Sequence, residues 1–221
     1  MALQFRAIRS NARRLQIVLG LLLSIGSAEL PLDRLGARLR VGPLLGRELL
    51  WWALVTVVFL YVLLIEKRQL SSIGCRRFGL RDVGGAIAAG VLLIVGIMLI
   101  STVVFGALHL QMNTRVMNRL LATPLYYRLL LVTRAAVAEE TLFRGYPIER
   151  LGELTGSAVL AFFVSWAAFT IAHLGAWGWA QLIVAGFGGI VLTLLYFWRR
   201  NLWVNMMAHW IADGAGFLLP H

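Results

Sequence analysis

Long apolar runs alternate along the chain with short, basic polar stretches, and the lengths of those runs set the first expectation. A bilayer core about 30 Å thick takes roughly 20 helical residues to cross. Apolar windows of about that size, bounded by charge, Pro or Gly, occur at 15–30, 49–65, 83–108, 125–143, 157–174, 179–198 and 202–219. The pattern predicts an all-α protein: a polytopic integral membrane helix bundle of about seven transmembrane helices, within a range of six to eight. The whole chain, 1–221, reads as a single membrane domain, and no repeat or low-complexity tract interrupts it.

Composition agrees with the pattern. Sixty per cent of the 221 residues are hydrophobic and 14% are charged, well to the apolar side of an ordinary soluble domain. The formal net charge of +11 would suggest nucleic acid in a soluble protein. Here the basic residues fall mostly between apolar windows, where membrane topology calls for them, and no nucleic-acid partner is expected. Seven spans with a cytoplasmic N-terminus put the larger share of Lys and Arg inside. Arg supplies all of the basic residues except Lys67, which points to a GC-rich prokaryotic genome and to an inner (cytoplasmic) membrane. The first window follows Arg6, Arg9, Arg13 and Arg14 and so also has the outline of a signal peptide, with Ser24, Gly26, Ser27 and Ala28 near a cleavage point. Cys75 is the single cysteine; it forms no internal disulfide and reads as a small packing residue.

Ionisable groups inside a membrane segment cost several kcal/mol unless they pair or face a wet cavity. Three of the last four windows carry them. The fourth holds Arg134, Glu139 and Glu140 and runs into Arg144 and Gly145; the fifth ends in FTIAH, with Phe169 and His173; the seventh holds AHWIAD, with His209 and Asp213. On a helix Glu140 and Arg144 are one turn apart and can pair, whereas Glu139 points about 100° away, so one carboxylate stays free. His209 and Asp213 are also one turn apart, an arrangement in which a carboxylate orients an imidazole or both bind one metal. The sixth window has no ionisable group and reads as a packing helix with close contacts at Gly186, Gly188 and Gly189. His109 and His221 are placed outside the site. Trp51, Trp52, Trp177, Trp179, Trp198 and Trp203 lie near window ends and suit an aromatic belt, while Trp166 and Trp210 are deeper and are expected to line a cavity.

The set EETLFR, FTIAH and HWIAD, in that order on separate late windows, resembles the motifs EExxxR, FxxxH and HxxxN/D of the CPBP intramembrane endopeptidases, which include the type II CAAX prenyl endopeptidase. The resemblance covers residues 125–213, a catalytic core, and leaves 1–124 as N-terminal spans without a motif. It implies an all-helical membrane fold with a polar cavity and peptide-bond hydrolysis in or near the bilayer, on a membrane-anchored or hydrophobic-tailed protein or peptide. Carried over by position, Glu139 is the general base that activates water, His173 assists, and His209 with Asp213 stabilises the oxyanion. Glu140 and Arg144 form a supporting ion pair, and Phe169 walls the cavity. Asp213 stands where the prenyl-processing branch has Asn, so it must be protonated, orient His209 or bind metal. The metal question stays open: Glu139, His173, His209 and Asp213 are a plausible set for zinc, but no HExxH is present.

Depth sets a geometric condition. His173 lies about 24 Å along its helix from the start of the fifth window, whereas Glu139 falls near the end of the fourth. The two meet only if the fourth helix continues to about Arg150, the fifth starts outside the lipid, or the helices tilt. Other readings use the same residues differently: a proton-coupled transporter with a Glu–His–Asp relay, or a bacteriocin-immunity-type scaffold. A serine protease lacks its Gly-x-Ser-x-Gly, and an aspartyl protease lacks its GxGD and second intramembrane Asp.

Overall fold

The computed structural model describes residues 10–26, 30, 32–36, 38–39, 41–111 and 113–219. Helix accounts for all its regular structure, with no strand among the described residues. Among the described residues nine helices of eight residues or more organise the fold: α1 (Asn11–Ser24), α2 (Pro43–Leu60), α3 (Leu80–Leu99), α4 (Thr114–Leu121), α5 (Leu125–Glu140), α6 (Tyr146–Thr155), α7 (Ala158–Ala172), α8 (Gln181–Arg199) and α9 (Leu202–Phe217), with short helical turns between some of them.

Three stretches among the described residues are long and apolar enough to cross a membrane, Leu44–Ile65, Leu80–Ala107 and Gln181–Arg199. They correspond to the second, third and sixth windows. Along α3 large apolar side chains such as Val91, Leu92, Met98 and Leu99 are exposed, a surface that suits lipid and not water. The protein is an integral membrane protein. The other four windows are helical but shorter or charged. At 14 residues, α1 is only about 21 Å long, less than the bilayer core. It is nevertheless built into the bundle: Ser24 is fully buried and donates to the Leu142 carbonyl at 2.7 Å. Gly20 lets α1 approach α6 so closely that a Cβ there would fall 1.7 Å from the Tyr146 hydroxyl. Ser27, Ala28, Arg6, Arg9 and His221 lie outside the described residues.

The fourth window does not stop at Phe143. After Glu140 the backbone passes through a π-helical turn, Thr141–Gly145, and continues as α6 to Thr155. A π-turn inserts one residue into the helical ladder and is often found at functional sites. Gly156 then ends the run with φ +74°, a left-handed conformation that Gly adopts without strain. Ser157 starts α7 by accepting from the Leu160 N–H at 3.1 Å. Asn201 does the same for α9, accepting from the Trp203 N–H at 3.2 Å. The α5–α6 run, α7 and α9 thus begin and end at defined points, which fixes the rotation of the helices that carry the site.

Ion pairs clamp one end of the bundle. Arg150 meets Glu66 at 2.5 Å and donates to the Ser72 carbonyl at 3.2 Å, Arg200 pairs with Glu149, and Arg199 pairs with Asp82. The Leu202 N–H donates to the Gly74 carbonyl at 2.7 Å. Cys75 lies in the same region, packed against apolar neighbours as its reading required. Burial pushes its thiol up to about 11.

Candidate active site

Glu139 and Glu140 close α5, and the helical rotation between them gives them different surroundings that share His209. Glu140 is fully buried. Its carboxylate accepts from Arg144 Nη1 at 3.0 Å, from Asn205 Nδ2 at 3.1 Å and from His209 Nδ1 at 2.9 Å. Glu139 faces the cavity instead: its nearest basic nitrogens are His173 Nε2 at 3.8 Å, His209 Nε2 at 3.9 Å and Arg134 Nη1 at 3.9 Å. One glutamate is locked and the other is left free, as the one-turn spacing of Glu140 and Arg144 requires.

His173 sits just past the end of α7 and its Nδ1 is 2.8 Å from the Phe169 carbonyl. A carbonyl only accepts, so Nδ1 carries the hydrogen and Nε2 is turned toward Glu139. His209 is fixed the same way by Glu140, and its Nε2 lies 3.5 Å from Asp213 Oδ2 on the next turn of α9. Phe169 is the hub between them. Its ring packs against His173 at 4.5 Å, edge-on to His209 at 6.4 Å and to Phe143 at 5.5 Å. The Arg144 guanidinium lies 3.8 Å above its face, a cation–π contact that covers a buried charge. Gly189 on α8 leaves room for this: a Cβ there would stand 3.1 Å from the Phe169 ring and 3.0 Å from Trp166.

Glu139, Phe169, His173, His209 and Asp213 all line one cavity of about 710 Å³, a size that suits a drug-sized ligand or short peptide. The continuation of the fourth helix into α6 removes the depth mismatch between Glu139 and His173. Trp166 and Trp210 do not line this cavity. Their indole N–H groups donate to the Gly186 carbonyl at 2.9 Å and to Thr133 Oγ1 at 3.1 Å, which turns them into helix contacts. Two tryptophans assigned to the aromatic belt, Trp51 and Trp177, line it instead.

Several site residues escaped the sequence. Glu48 on α2 is buried and accepts from Arg134 Nε at 2.9 Å and from the Tyr127 hydroxyl at 3.2 Å, with Arg47 at 3.2 Å. Arg134 in turn lies 5.2 Å from the Trp51 ring centre. The second apolar window began at position 49, one residue too late to include this carboxylate. Asn205 carries no charge and so gives no signal within an apolar window; it bridges Glu140, at 3.1 Å, and the Leu192 carbonyl, at 2.7 Å.

As for metal, no group of three or more His, Cys, Asp or Glu among the described residues is spaced to hold an ion. A tetrahedral zinc with ligands near 2.0–2.1 Å sets donors about 3.3 Å apart, shorter than the 3.8–3.9 Å between Glu139 and the two histidines. The donor types suit zinc and their spacing does not.

Residues 121–215 match the family model described as type II CAAX prenyl endopeptidase Rce1-like. That segment is similar to this family. It contains every residue of the three motifs. No curated protein and no solved structure matches the chain. The matched segment leaves out α2, so Arg47, Glu48 and Trp51 join the site from beyond it.

Proposed function

We propose that the protein is an intramembrane endopeptidase that hydrolyses a peptide bond in a membrane-anchored or hydrophobic-tailed protein or peptide. The observation that carries the reading is Glu139: a carboxylate on the cavity wall, facing two imidazole Nε2 atoms across gaps that one water spans. In this reading the water donates a proton to Glu139 as its oxygen attacks the scissile carbonyl. His173, with its lone pair toward the same space, accepts the second hydrogen bond of that water and aims it. In its doubly protonated form, His209 keeps Nδ1 on Glu140 and donates from Nε2 to the oxyanion, while Asp213 holds the ring in place and offsets its charge. Glu139 then returns the proton to the departing nitrogen as the C–N bond breaks. A general base of this kind contributes about 10²–10⁴-fold, and an oxyanion donor about 10²–10³-fold. No step needs a metal.

The test compares protein termini in membranes of cells expressing the wild-type chain with those expressing Glu139→Gln at equal abundance. Termini lost in the variant, reproduced with purified protein and a peptide spanning the cleaved bond, support the peptidase. Unchanged termini with a Glu139-dependent proton flux in vesicles would replace it with a transporter, and full function in His173→Ala with a scaffold.

A further inference from the structure

The cavity has a direction. Its lining comes from the first turns of α2 (Leu44, Arg47), the later half of α3 (Ile97), α4, the start of α5 (Tyr127), the start of α8 (Gln181) and the last turn of α9 (Phe217). These are all ends on one face of the bundle. The opposite ends, at Ile65, Leu80, Arg199 and Leu202, are the ones clamped together by the Glu66–Arg150, Asp82–Arg199 and Glu149–Arg200 pairs, and they contribute nothing to the lining. Along α9, counted from the clamped end, His209 lies about 10 Å in, Asp213 about 16 Å and Phe217 about 22 Å. The site is therefore at mid-depth, and the way to it is from the unclamped face.

Basic residues mark the two faces differently. The α2–α3 connection and the first turn of α3, on the clamped face, carry Lys67, Arg68, Arg76, Arg77 and Arg81. Arg199 and Arg200 turn on the same face. So does the start of α1, with Arg13 and Arg14, because Gln16 bonds the Ile65 carbonyl at 3.4 Å and accepts at its own carbonyl from the Tyr61 hydroxyl at 2.7 Å. Among the described residues the mouth has Arg34, Arg38, Arg47, Arg115, Arg119 and Arg128, fewer in number. Excess Lys and Arg in short loops marks the cytoplasmic side of a membrane protein. At the mouth itself, α4 sets exposed Thr114, Arg115, Asn118 and Arg119 against half-buried Val116, Met117, Leu120 and Leu121. That pattern belongs to a helix lying in the membrane interface with its apolar side down.

We propose that the clamped, basic face is cytoplasmic and that the cavity opens on the extracytoplasmic side. Resting on the peptidase reading, this makes the substrate a translocated one: a membrane-anchored protein or hydrophobic tail whose scissile segment is presented from outside, past α4, and not a tail still in the cytoplasm.

Two measurements test this separately. In a Cys75→Ala background, single cysteines replace exposed Arg115 at the mouth and exposed Arg77 on the clamped face, and intact cells are treated with a membrane-impermeant maleimide. Permeabilised cells serve as the reference for full labelling. Arg115→Cys should label in intact cells and Arg77→Cys only after permeabilisation. The reverse pattern, or equal labelling of both positions in intact cells, overturns the orientation. This result does not depend on catalysis: Glu139→Gln should label identically, so a failed peptidase reading leaves it standing. For the substrate, the termini that depend on Glu139 should belong to exported or outward-facing segments. Termini confined to cytoplasmic segments overturn the substrate class even if cleavage is real.

Discussion

The two adjacent glutamates should fail in opposite ways when each is replaced by Gln. Glu140 is fully buried with Arg144, and Arg144 Nε and Nη2 have no hydrogen-bond partner among the described residues. Neutralising Glu140 leaves the guanidinium with little beyond the face of Phe169, and weakens the acceptor for His209 Nδ1 as well. Removing one partner of a buried pair costs about 3–5 kcal/mol. For a chain of this size each kcal/mol moves the midpoint by about 2–4 °C, so Glu140→Gln should lower the apparent Tm by roughly 10 °C. Glu139, by contrast, has its nearest basic nitrogens at 3.8–3.9 Å, and those contacts are too long to contribute much. Glu139→Gln should leave Tm within about 2 °C while cutting cleavage by at least about 10²-fold. Thermal unfolding of the purified protein in detergent, followed by tryptophan fluorescence, gives the first quantity, and turnover of a substrate peptide the second. A Glu140→Gln protein as stable as wild type, or a Glu139→Gln protein as unstable as Glu140→Gln, would refute the division of labour.

Four further outcomes follow from the same geometry. Gly20→Ala puts a Cβ on the Tyr146 hydroxyl, which bonds Glu66 at 2.8 Å; overpacking of this kind costs about 1–3 kcal/mol, and an unchanged Tm would mean that α1 does not pack on α6 as described. Glu48→Gln leaves Arg134 without its closest carboxylate and should destabilise by about 3 kcal/mol, with Glu48→Gln/Arg134→Met recovering part of the loss in the same unfolding assay. Dialysis against a chelator should leave cleavage unchanged, and loss of activity restored by zinc would show that the donors close up around a metal. Cys75, its thiol raised to about 11 by burial, should be alkylated slowly at pH 8 and progressively faster as pH rises toward 11, because only the thiolate reacts; a rate that levels off near pH 9 would place the thiol in water.

The fold was legible where apolarity and length coincide. The second, third and sixth windows returned as helices with ends shifted by a few residues, because apolar side chains, whether turned to lipid or into the bundle, decide them. Where a helix carries chemistry, its hydropathy drops and its boundary blurs. Residues 144–155 were cut from the fourth helix because Arg144, Glu149, Arg150 and Glu153 read as an exit from the membrane, yet Arg144, Glu149 and Arg150 are buried and all four are ion-paired. A sequence displays a charge but not its partner some 80 residues away. The same blindness hid Glu48, whose significance lies entirely in Arg134 and Tyr127 across the bundle. It also misassigned the tryptophans, since depth along a helix says how far a ring lies from the membrane surface but not which way the helix turns it.

The convergence of the motif residues was legible for a different reason. Helical one-turn spacing is local, so Glu140 with Arg144 and His209 with Asp213 could be paired on paper. What the fold adds is the join between those local pairs. Glu140 ties the α5 pair to the α9 pair through His209 and Asn205, and Phe169 closes the third side against His173 and Arg144. The result is a shell of saturated contacts around one carboxylate that is not itself saturated. A hydrolytic base needs that contrast: neighbours rigid enough to hold two histidine rings in fixed orientations, and a carboxylate with coordination left over for water. Had Glu139 been bound as tightly as Glu140, the site would be an ion-pair network that stabilises the bundle and nothing more. The gaps of 3.8–3.9 Å around Glu139 are thus the part of the geometry on which the proposed hydrolysis depends.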